Sequence, residues 1–482
     1  MVLSIYASLQ RRDATLVPAA QTLGAGPVRA FLAITLPLSL PGIVAGSVVV
    51  FTLSMSAFVT PAILGGTRVR VVAYLIYEEF LLSLNWPFGA ALALLLVAIT
   101  MLVVAGYNTV SASLAGFDRS LAYHLARRGA RVAVLDRGPG GFSATAGNHG
   151  LVWAQDKAPS PYLGLTLRSI ARYPDFAREL RDLTGLDIEY ARPGGLSYSL
   201  SEADLAARAA FIAEQSRTRG CAAEMLDARA LHDLEPLAGP AVAGGSFCPL
   251  DGHANPLALA RALQAGIVRL GGVIHRRREV TTIEARGWGG WVVGSAEGPL
   301  AAPVLVLAAG VGIARLARLV GLNLPVRPQR GQILVSEPLP PVLRHPSVPA
   351  RQTRSGNLLL GATHEEVGFD AASTAEGIRQ VAASAQRYFP FVARVALVRA
   401  WGALRPLSPD GLPILEQPAG WPGFFVVASH SGITLCPVLG EAVAEWVSAG
   451  QRSSFLPVFA RSRFRGRDLG AIEPAPAGLS LE

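Results

Sequence analysis

The sequence predicts an α/β domain that follows two transmembrane helices. Two long runs near the N-terminus, residues 42–64 and 80–117, contain no charged residue. From Ser120 onward, charged residues, helical periodicity and short apolar runs alternate, which is typical of an α/β domain. Hydrophobic residues make up 51% of the 482-residue chain, more than an ordinary soluble domain contains. We therefore expect the N-terminal part to lie in a membrane and the remainder to fold separately.

Each charge-free run contains a segment long enough to cross a bilayer. The best spans are residues 42–64 and 88–107, because about 20 apolar residues in a helix cross roughly 30 Å of hydrocarbon. Arginines precede the first span and follow the second, so the positive-inside rule places both ends in the cytoplasm. The expected location is the inner (plasma) membrane, as a multi-pass protein with a cytoplasmic C-terminal domain.

Composition argues against two other classes of protein. The formal net charge of +9 comes from arginines that are scattered and not clustered with aromatic residues, so no nucleic-acid partner is expected. The three cysteines, Cys221, Cys248 and Cys436, are widely spaced and form neither a metal-binding nor a disulfide pattern. We therefore expect no metal site.

The segment before the first span, residues 18–37, reads "PAAQTLGAGPVRAFLAITLP". The spacing of Ala19, Gly24 and Pro37 resembles the cytoplasmic coupling loop of the inner-membrane permease subunits of ABC importers, which implies two short helices hinged at the glycine. Pro18 stands where that family has glutamate. The resemblance implies that residues 1–117 are a truncated permease segment, whose coupling loop at 14–37 binds an ABC ATPase. Two membrane helices cannot enclose a transport path by themselves, since such paths lie between many packed helices.

An amphipathic helix and an apolar strand follow the second span. Leu121, Leu125 and Ala126 lie on one helix face, and the run "RVAVLD" ends in Asp136. A strand that ends in an acid after such a helix is typical of a dinucleotide-binding βαβ unit. The first strand and the glycine-rich turn of that unit are expected before Ser120.

Several separated blocks of the remaining sequence resemble one family. They are "VAVLDRGPGGFSATAGNHG", "CPLDGHANPLALARAL", "APVLVLAAGVGIARLA", "AWGALRPLSPDGLPILEQ" and "FFVVASHSGITLCPVLGE". Together they resemble the D-amino-acid oxidase-like (DAO) family of FAD-dependent oxidoreductases over about residues 120–450. The resemblance implies FAD as the cofactor and a Rossmann-like FAD/NAD(P)-binding domain with a mixed-sheet substrate domain.

The same resemblance divides the chain and assigns its cofactor site. The implied FAD-binding domain comprises residues 118–160, 245–324 and 399–450; the substrate domain comprises residues 161–244 and 325–398; residues 451–482 form a tail. The cofactor-binding residues that the resemblance implies are Asp136, Arg137, Ser143, Asn148, His149, Gly150, Val280, Gly310, Gly432, Ile433 and Thr434. Asp136 would accept hydrogen bonds from the adenosine ribose, although on its own it could equally cap a turn.

For the substrate, a small amino acid, the resemblance assigns the carboxylate to Arg405 in the "LRP" turn. A guanidinium suits this role, because it offers two parallel donors and stays charged in a partly buried pocket. His430, beside the "GIT" segment, is the second catalytic candidate. A surface salt bridge is the alternative for Arg405. His253 is expected to be a structural histidine.

The glycine-rich turn of the unit is not intact. Counting back from Asp136 puts the G-x-G-x-x-G fingerprint at 113–118, where Ser113, Ala115 and Asp118 replace the glycines. A Cβ narrows the turn, and a carboxylate at Asp118 opposes the phosphates. Two anions about 4–6 Å apart at an effective dielectric near 20 repel by roughly 3–4 kcal/mol, or about a hundredfold or more in affinity. The first strand, expected at 107–112, is replaced by "YNTVSA". We therefore expect weak or absent FAD binding.

Three functions remain open from the sequence. The first is a membrane-tethered flavoenzyme that oxidises the C–N bond of a small amino acid, which most of the chain supports. The second is a permease component for transmembrane transport, which the coupling-loop spacing supports. The third is an inactive deletion fusion, in which two truncated genes meet near Arg119.

Overall fold

The computed structural model describes residues 75–76, 78–95, 117–138, 144–145, 147–287 and 289–466, with the backbone alone at 117–118. The chain forms two compact units, residues 1–112 and residues 113–482. In the first unit, Glu78–Leu82 form a π-helical turn and residues 86–95 are helical. Among the residues described, no helix has both the length and the apolar character needed to cross a bilayer. The coupling loop at 14–37, the span at 42–64 and residues 96–107 of the second span lie outside the described residues.

The described part of the second unit alternates helices and strands. The helices are α1 (Phe117–Arg127), α2 (Pro161–Thr184), α3 (Glu202–Gln215), α4 (Ala228–Leu234), α5 (Pro256–Arg269), α6 (Ile313–Arg318), α7 (Ala375–Tyr388) and α8 (Gly432–Ala449). The strands are β1 (Ala133–Asp136), β2 (Leu151–Val152), β3 (Gly195–Ser199), β4 (Glu224–Asp227), β5 (Gly244–Cys248), β6 (Gly252–His253), β7 (Val273–Arg276), β8 (Thr282–Ala285), β9 (Trp291–Gly294), β10 (Leu300–Ala302), β11 (Leu305–Leu307), β12 (Arg327–Pro338), β13 (Ala350–Gln352), β14 (Asn357–Gly361), β15 (Leu397–Leu407), β16 (Ile414–Glu416) and β17 (Phe424–Ala428).

Two parallel strand pairs form the framework of the first part of this unit. Strand β1 pairs with β7, with Asp136 opposite Arg276 at the carboxyl end. Strand β11 pairs in parallel with β17, and β16 adds an antiparallel edge. Among the strands that the structure describes, no hydrogen-bonded ladder joins the two pairs. A separate antiparallel sheet, β8–β9–β10, lies between β7 and β11 in the sequence.

Antiparallel sheets build the second part. Strand β12 is central in the order β13–β14–β12–β15, and helix α7 contacts β12 and β14. A smaller sheet has the order β3–β5–β4. The apolar face of the larger sheet is buried against α7, where Leu334, Leu360 and Val381 share one core cluster. The unit thus combines parallel and antiparallel sheets, as expected for a mixed α/β architecture.

Helices α1, α2 and α8 pack closely together, because small residues allow it. A Cβ on Gly440 would collide with Ser120 of α1, so a glycine at this position permits the contact with α8. The Ser120 hydroxyl donates to the Cys436 carbonyl at 2.6 Å. Since Ile433 and Cys436 belong to the main core cluster, this contact ties the start of α8 to α1.

A proline inside α8 exposes a carbonyl that another helix satisfies. Pro437 has no N–H to donate to the carbonyl four residues earlier, which is that of Ile433. The Tyr173 hydroxyl of α2 donates to this carbonyl at 2.8 Å. Helix α2 is itself well delimited, since Ser160 caps its N-terminus and Gly185 ends it in the left-handed conformation.

Candidate active site

The acid at the end of β1 is already engaged by other groups of the chain. The Gly138 backbone N–H donates to Asp136 Oδ1 at 2.9 Å, and Arg119 Nη2 donates to Oδ2 at 2.7 Å. Arg119 lies on α1, and its side chain is only 1% exposed. The Arg137 side chain is exposed. Asp136 therefore lies where the sequence predicts an acid, but in an ion pair that the sequence analysis did not predict.

The loop that leads to β2 is held by backbone contacts. Asn148 Oδ1 accepts from the Gly150 N–H at 2.7 Å. Gly150 has a φ of +86°, and a Cβ there would collide with the carbonyl of Ala254. Only glycine suits this combination of left-handed backbone and close approach. Ser143 lies outside the described residues, so its predicted role stays a prediction.

His149 is held as a neutral ring. Its Nε2 lies 2.9 Å from the Leu359 carbonyl, to which it donates. Burial, together with the nearby charge of Arg351, lowers the pKa of His149 to about 3. Arg351 Nε donates to the His149 carbonyl at 2.6 Å, and its Nη1 donates to His253 Nδ1 at 3.2 Å. The His253 ring is thus engaged by a buried arginine that the sequence analysis missed.

Two further predicted cofactor residues lie near the ends of strands in the parallel region. Gly310 follows β11 with a φ of +52°, and a Cβ built on it would meet no heavy atom within 4 Å. There is therefore open space beside this glycine. The Val280 carbonyl accepts from Arg315 Nη2 at 3.3 Å. Arg315 also pairs with Glu279 at 2.9 Å, which holds the segment before β8 against α6.

Helix α8 begins at the predicted "GIT" segment. Ser431 precedes it with a φ of +55°, an unusual left-handed conformation for a residue with a side chain. Thr434 Oγ1 donates to the Leu151 carbonyl at 3.1 Å and accepts from the Trp153 N–H at 3.3 Å. The first N–H groups of a helix have no acceptor within the helix and carry partial positive charge. Gly432, Ile433 and Thr434 provide these groups beside the β2 loop.

Arg405 lies in β15 and is fixed against the neighbouring strand β12. Its Nη1 donates to the Thr363 carbonyl at 3.0 Å. A Cβ on Gly331 would collide with the guanidinium, so glycine allows the arginine to lie against the backbone. Burial lowers the pKa of Arg405 to about 10, so it remains charged at neutral pH. Among the described residues, no carboxylate oxygen lies within 4 Å of the guanidinium nitrogens of Arg405. The surface salt bridge that was the alternative prediction for Arg405 is therefore not formed among them.

A buried polar cluster supports the Thr363 segment. Arg330 Nη2 donates to Glu365 Oε2 at 2.6 Å, and Gln332 Nε2 donates to Glu365 Oε1 at 2.8 Å. The Thr363 hydroxyl donates to the same carboxylate. Burial alone would raise the pKa of Glu365, but these hydrogen bonds lower it to about 2. Glu365 therefore stays ionised and fixes the loop whose carbonyl receives Arg405.

His430 is a neutral ring in a cationic environment. Burial, Lys157 and Arg405 lower its pKa to about 3. Lys157 Nζ donates to Ser431 Oγ at 3.2 Å, and this oxygen lies 3.1 Å from His430 Nδ1. The Ser431 hydroxyl therefore links Lys157 to Nδ1 of the His430 ring. His364 lies in the same field, and burial and Arg405 lower its pKa to about 4.

Sequence reasoning missed four of these groups: Arg119, Lys157, Arg330 and Arg351. Lys157 carried a usable signal, because it is the only lysine among the 482 residues. The three arginines are hidden by the many other arginines of the chain. Their partners lie 17, 35 and 202 positions away for Arg119, Arg330 and Arg351, and only the fold reveals these contacts.

Two protein-family models match adjoining parts of the chain. Residues 119–446 match the family described as FAD dependent oxidoreductase. Residues 1–115 match the family described as binding-protein-dependent transport system inner membrane component. The α/β prediction is thereby confirmed, whereas the two transmembrane helices stay predictions. The permease match agrees with the resemblance at the coupling loop.

Curated proteins and a crystal structure resemble the second unit along nearly their whole length. An opine oxidase subunit of Agrobacterium tumefaciens (strain Ach5) is 34% identical over 353 residues, which cover 72% of this chain and 95% of that protein. The glycine oxidase of Geobacillus kaustophilus (strain HTA426) is 33% identical, with 72% of this chain and 94% of that protein covered. The crystal structure of the Geobacillus kaustophilus enzyme gives a TM-score of 0.68 at 30% identity, over 72% of this chain and 96% of that one. The chain belongs to the FAD-dependent oxidoreductase family and is an oxidoreductase of the amino-acid oxidase type.

Proposed function

We propose that residues 119–446 oxidise the carbon–nitrogen bond of a small amino acid or N-substituted amino acid, and that Arg405 binds the carboxylate of this substrate. The observation that carries the proposal is the geometry of Arg405. Its charged guanidinium lies against Gly331, donates to the Thr363 carbonyl, and has no carboxylate within 4 Å among the described residues. A partly exposed cation of this kind suits a carboxylate ligand.

The described residues fit FAD, the cofactor of the family. Gly310 leaves open space where a flat ring system needs close approach to the backbone. The start of α8, at Gly432, offers N–H groups and a helix dipole to an electron-rich ring edge. Asn148 to Gly150 and Val280 would contact the remainder of the cofactor through backbone groups. Asp136 would receive the ribose hydroxyls, although it is paired with Arg119.

The chain's own contribution is to bind, orient and control charge. When bound, FAD supplies the acceptor for the hydride, and water hydrolyses the resulting imine. Arg405 holds the carboxylate so that the Cα–H faces the acceptor. The positive charges of Arg405 and Lys157 lower the pKa of a nearby amine as they lower that of His430. The site therefore favours the neutral amine, which is the form that can lose hydride, and the neutral His430 ring can hydrogen-bond to the substrate through Nε2.

The relatives narrow the choice of substrate. One is named for opine and the other for glycine. The features that the structure offers to such ligands are one fixed guanidinium at Arg405 and a second cation at Lys157. We therefore propose glycine, N-alkyl glycines and opines as the substrate classes to compare.

Anaerobic reduction of bound flavin tests the proposal. The full chain, purified in detergent and saturated with FAD, should lose its flavin absorbance when an amino acid or an opine is added. The same compounds as methyl esters are matched controls, because esterification removes the carboxylate that Arg405 binds. Equal reduction by acid and ester, or no reduction by any acid, would contradict the proposal.

A second role is proposed for the first unit, on the basis of the permease match. We propose that residues 18–37 dock on an ABC ATPase and that the chain lies in the inner membrane with its C-terminal domain in the cytoplasm. Large apolar side chains in the described part of this unit support contact with lipid: Trp86, Leu94 and Leu95 are 62%, 70% and 57% exposed. Such exposed apolar surface is unusual for residues in water.

Fractionation and co-purification test this second role. The full chain should remain with membranes after a carbonate wash and should carry an ATPase subunit with it in mild detergent. Replacing Gly24, at the turn of the loop, with valine should abolish ATPase binding and leave flavin reduction unchanged. Absence of both membrane association and ATPase would contradict this role. If flavin reduction also fails, the inactive fusion is the remaining interpretation.

A further inference from the structure

Helix α1 places Arg119 in an ion pair with Asp136, the acid that is expected to bind the ribose. Arg119 lies on α1, is 1% exposed, and pairs with Asp136 at 2.7 Å. A buried guanidinium is costly unless it is paired, so the ion pair with Asp136 stabilises Arg119 at this position.

The position of the pair matters for nucleotide binding. Asp136 ends β1, where an acid in this type of fold accepts hydrogen bonds from the ribose hydroxyls. Its Oδ1 already accepts from the Gly138 N–H and its Oδ2 from Arg119. A ribose can reach this carboxylate only if it shares the carboxylate with Arg119 or displaces Arg119. Displacement would leave a buried guanidinium without its carboxylate, which is costly.

We propose that Arg119 competes with the adenosine ribose of FAD for Asp136. The ion pair stabilises the flavin-free form and weakens binding of the nucleotide. This effect is separate from the altered turn at 113–118, because it acts at the ribose and not at the phosphates. The proposal rests on the proposed flavin function, but not on any substrate or on turnover.

Substitution of Arg119 tests the competition. Arg119→Leu removes the competing ion pair, so the dissociation constant of FAD, measured by quenching of flavin fluorescence, should fall about tenfold, as expected when hydrogen bonds to a charged group are gained. The melting temperature of the flavin-free protein should fall at the same time. Arg127→Leu is the matched control: it removes the same charge from the same helix, but from an exposed pair with Glu179. An unchanged or larger dissociation constant for Arg119→Leu would overturn the proposal.

A comparison of two nucleotides distinguishes an effect at the ribose from an effect at the phosphates. ADP and 2′-deoxy-ADP carry the same diphosphate and differ in one ribose hydroxyl. This hydroxyl would donate a hydrogen bond to Asp136. The unaltered chain should bind them equally, whereas Arg119→Leu should prefer ADP several-fold, as measured by calorimetry. Asp136→Asn in the Arg119→Leu background should remove the preference. Equal binding of both nucleotides by Arg119→Leu, or no binding of either, would overturn the proposal.

A conservative variant provides a second test in case Arg119→Leu does not fold. Arg119→Lys keeps the charge but loses the planar guanidinium, so it should fold and give an intermediate FAD affinity. An affinity equal to that of the unaltered chain would show that the geometry of the pair does not control binding. Failure of amino-acid oxidation leaves these nucleotide measurements unaffected, so the two proposals fail independently.

Discussion

At the scale of single residues, glycines place the charged groups of the candidate site. Gly331 leaves room for the guanidinium of Arg405, and Gly150 allows the loop to approach Ala254. Arg405 was identified from its motif, but the need for glycine at 331 follows only from strand register, since β12 and β15 pair there. A motif fixes the identity of a side chain; the contacts that orient it come from elements distant in sequence.

Gly331→Ala should displace Arg405 without replacing it. The added Cβ collides with the far end of a flexible side chain, so the guanidinium moves and stability changes little. Loss of a charge-assisted bidentate contact should raise KM by about tenfold or more, with a smaller change in kcat. Steady-state kinetics with an amino-acid substrate measures this. Gly312→Ala, where a Cβ meets only Ala309 at 3.9 Å, is the control. An unchanged KM for Gly331→Ala would refute the positioning role.

Asp251 should make stability depend on pH. It is fully buried and accepts from the Ala154 N–H at 2.6 Å. Burial raises the pKa of Asp251 from 3.8 to about 7, although the backbone hydrogen bonds partly oppose the shift. The folded state thus holds this proton more tightly than the unfolded state does. Its contribution to stability is complete below about pH 4 and is lost as the pH rises through about 7.

Thermal unfolding across this pH range tests the expectation. The melting temperature of Asp251→Asn relative to the unaltered chain should rise as the pH increases from about 4 to about 8, because the variant has no proton to lose. Asp175→Asn, at an exposed pair with Arg178, should show no such trend. A constant difference for Asp251→Asn would mean that the carboxyl titrates normally.

At the scale of elements, the contact between α2 and α8 is the clearest case of mutual dependence. Pro437 leaves the Ile433 carbonyl without an intrahelical donor, and Tyr173 supplies one at 2.8 Å. The sequence predicted the α1–β1 pair, because its helical periodicity and apolar strand are strong local signals. It could not predict that a tyrosine of α2 completes the hydrogen bonding of α8, since the two residues are 260 positions apart.

Tyr173→Phe should destabilise the protein by about 1–3 kcal/mol, because a buried carbonyl loses its partner. Tyr190→Phe is a matched control. Its ring stacks on Tyr173 at 4.7 Å, but its hydroxyl has no hydrogen-bond partner in the described part of the chain. Denaturant unfolding should therefore show a loss for Tyr173→Phe and little change for Tyr190→Phe. Equal losses for the two variants would contradict the role of the hydrogen bond from Tyr173.

At the scale of the whole molecule, two family matches meet at residues 116–118. The fold of the second unit could be predicted from its blocks because they span most of its length. The junction could be located from the same spacing, since the fingerprint glycines are replaced at Ser113, Ala115 and Asp118.

The junction should weaken cofactor retention. We expect the purified full chain to carry much less than stoichiometric FAD, because a carboxylate near the helix N-terminus repels the diphosphate by roughly 3–4 kcal/mol. The absorbance ratio of flavin to protein measures this. Asp118→Gly should increase the ratio, whereas Asp182→Gly, in α2, should not. Tight stoichiometric FAD in the unaltered chain would show that the turn tolerates these residues.

The solitary lysine offers a practical consequence. Lys157 donates to Ser431 at the beginning of α8, and its side chain is partly accessible. Apart from the N-terminus, an amine-directed acylating reagent has no other lysine in the sequence to modify. The extent of acylation, measured as a single mass increment, therefore shows whether a bound small molecule protects Lys157. This measurement requires neither turnover nor flavin absorbance.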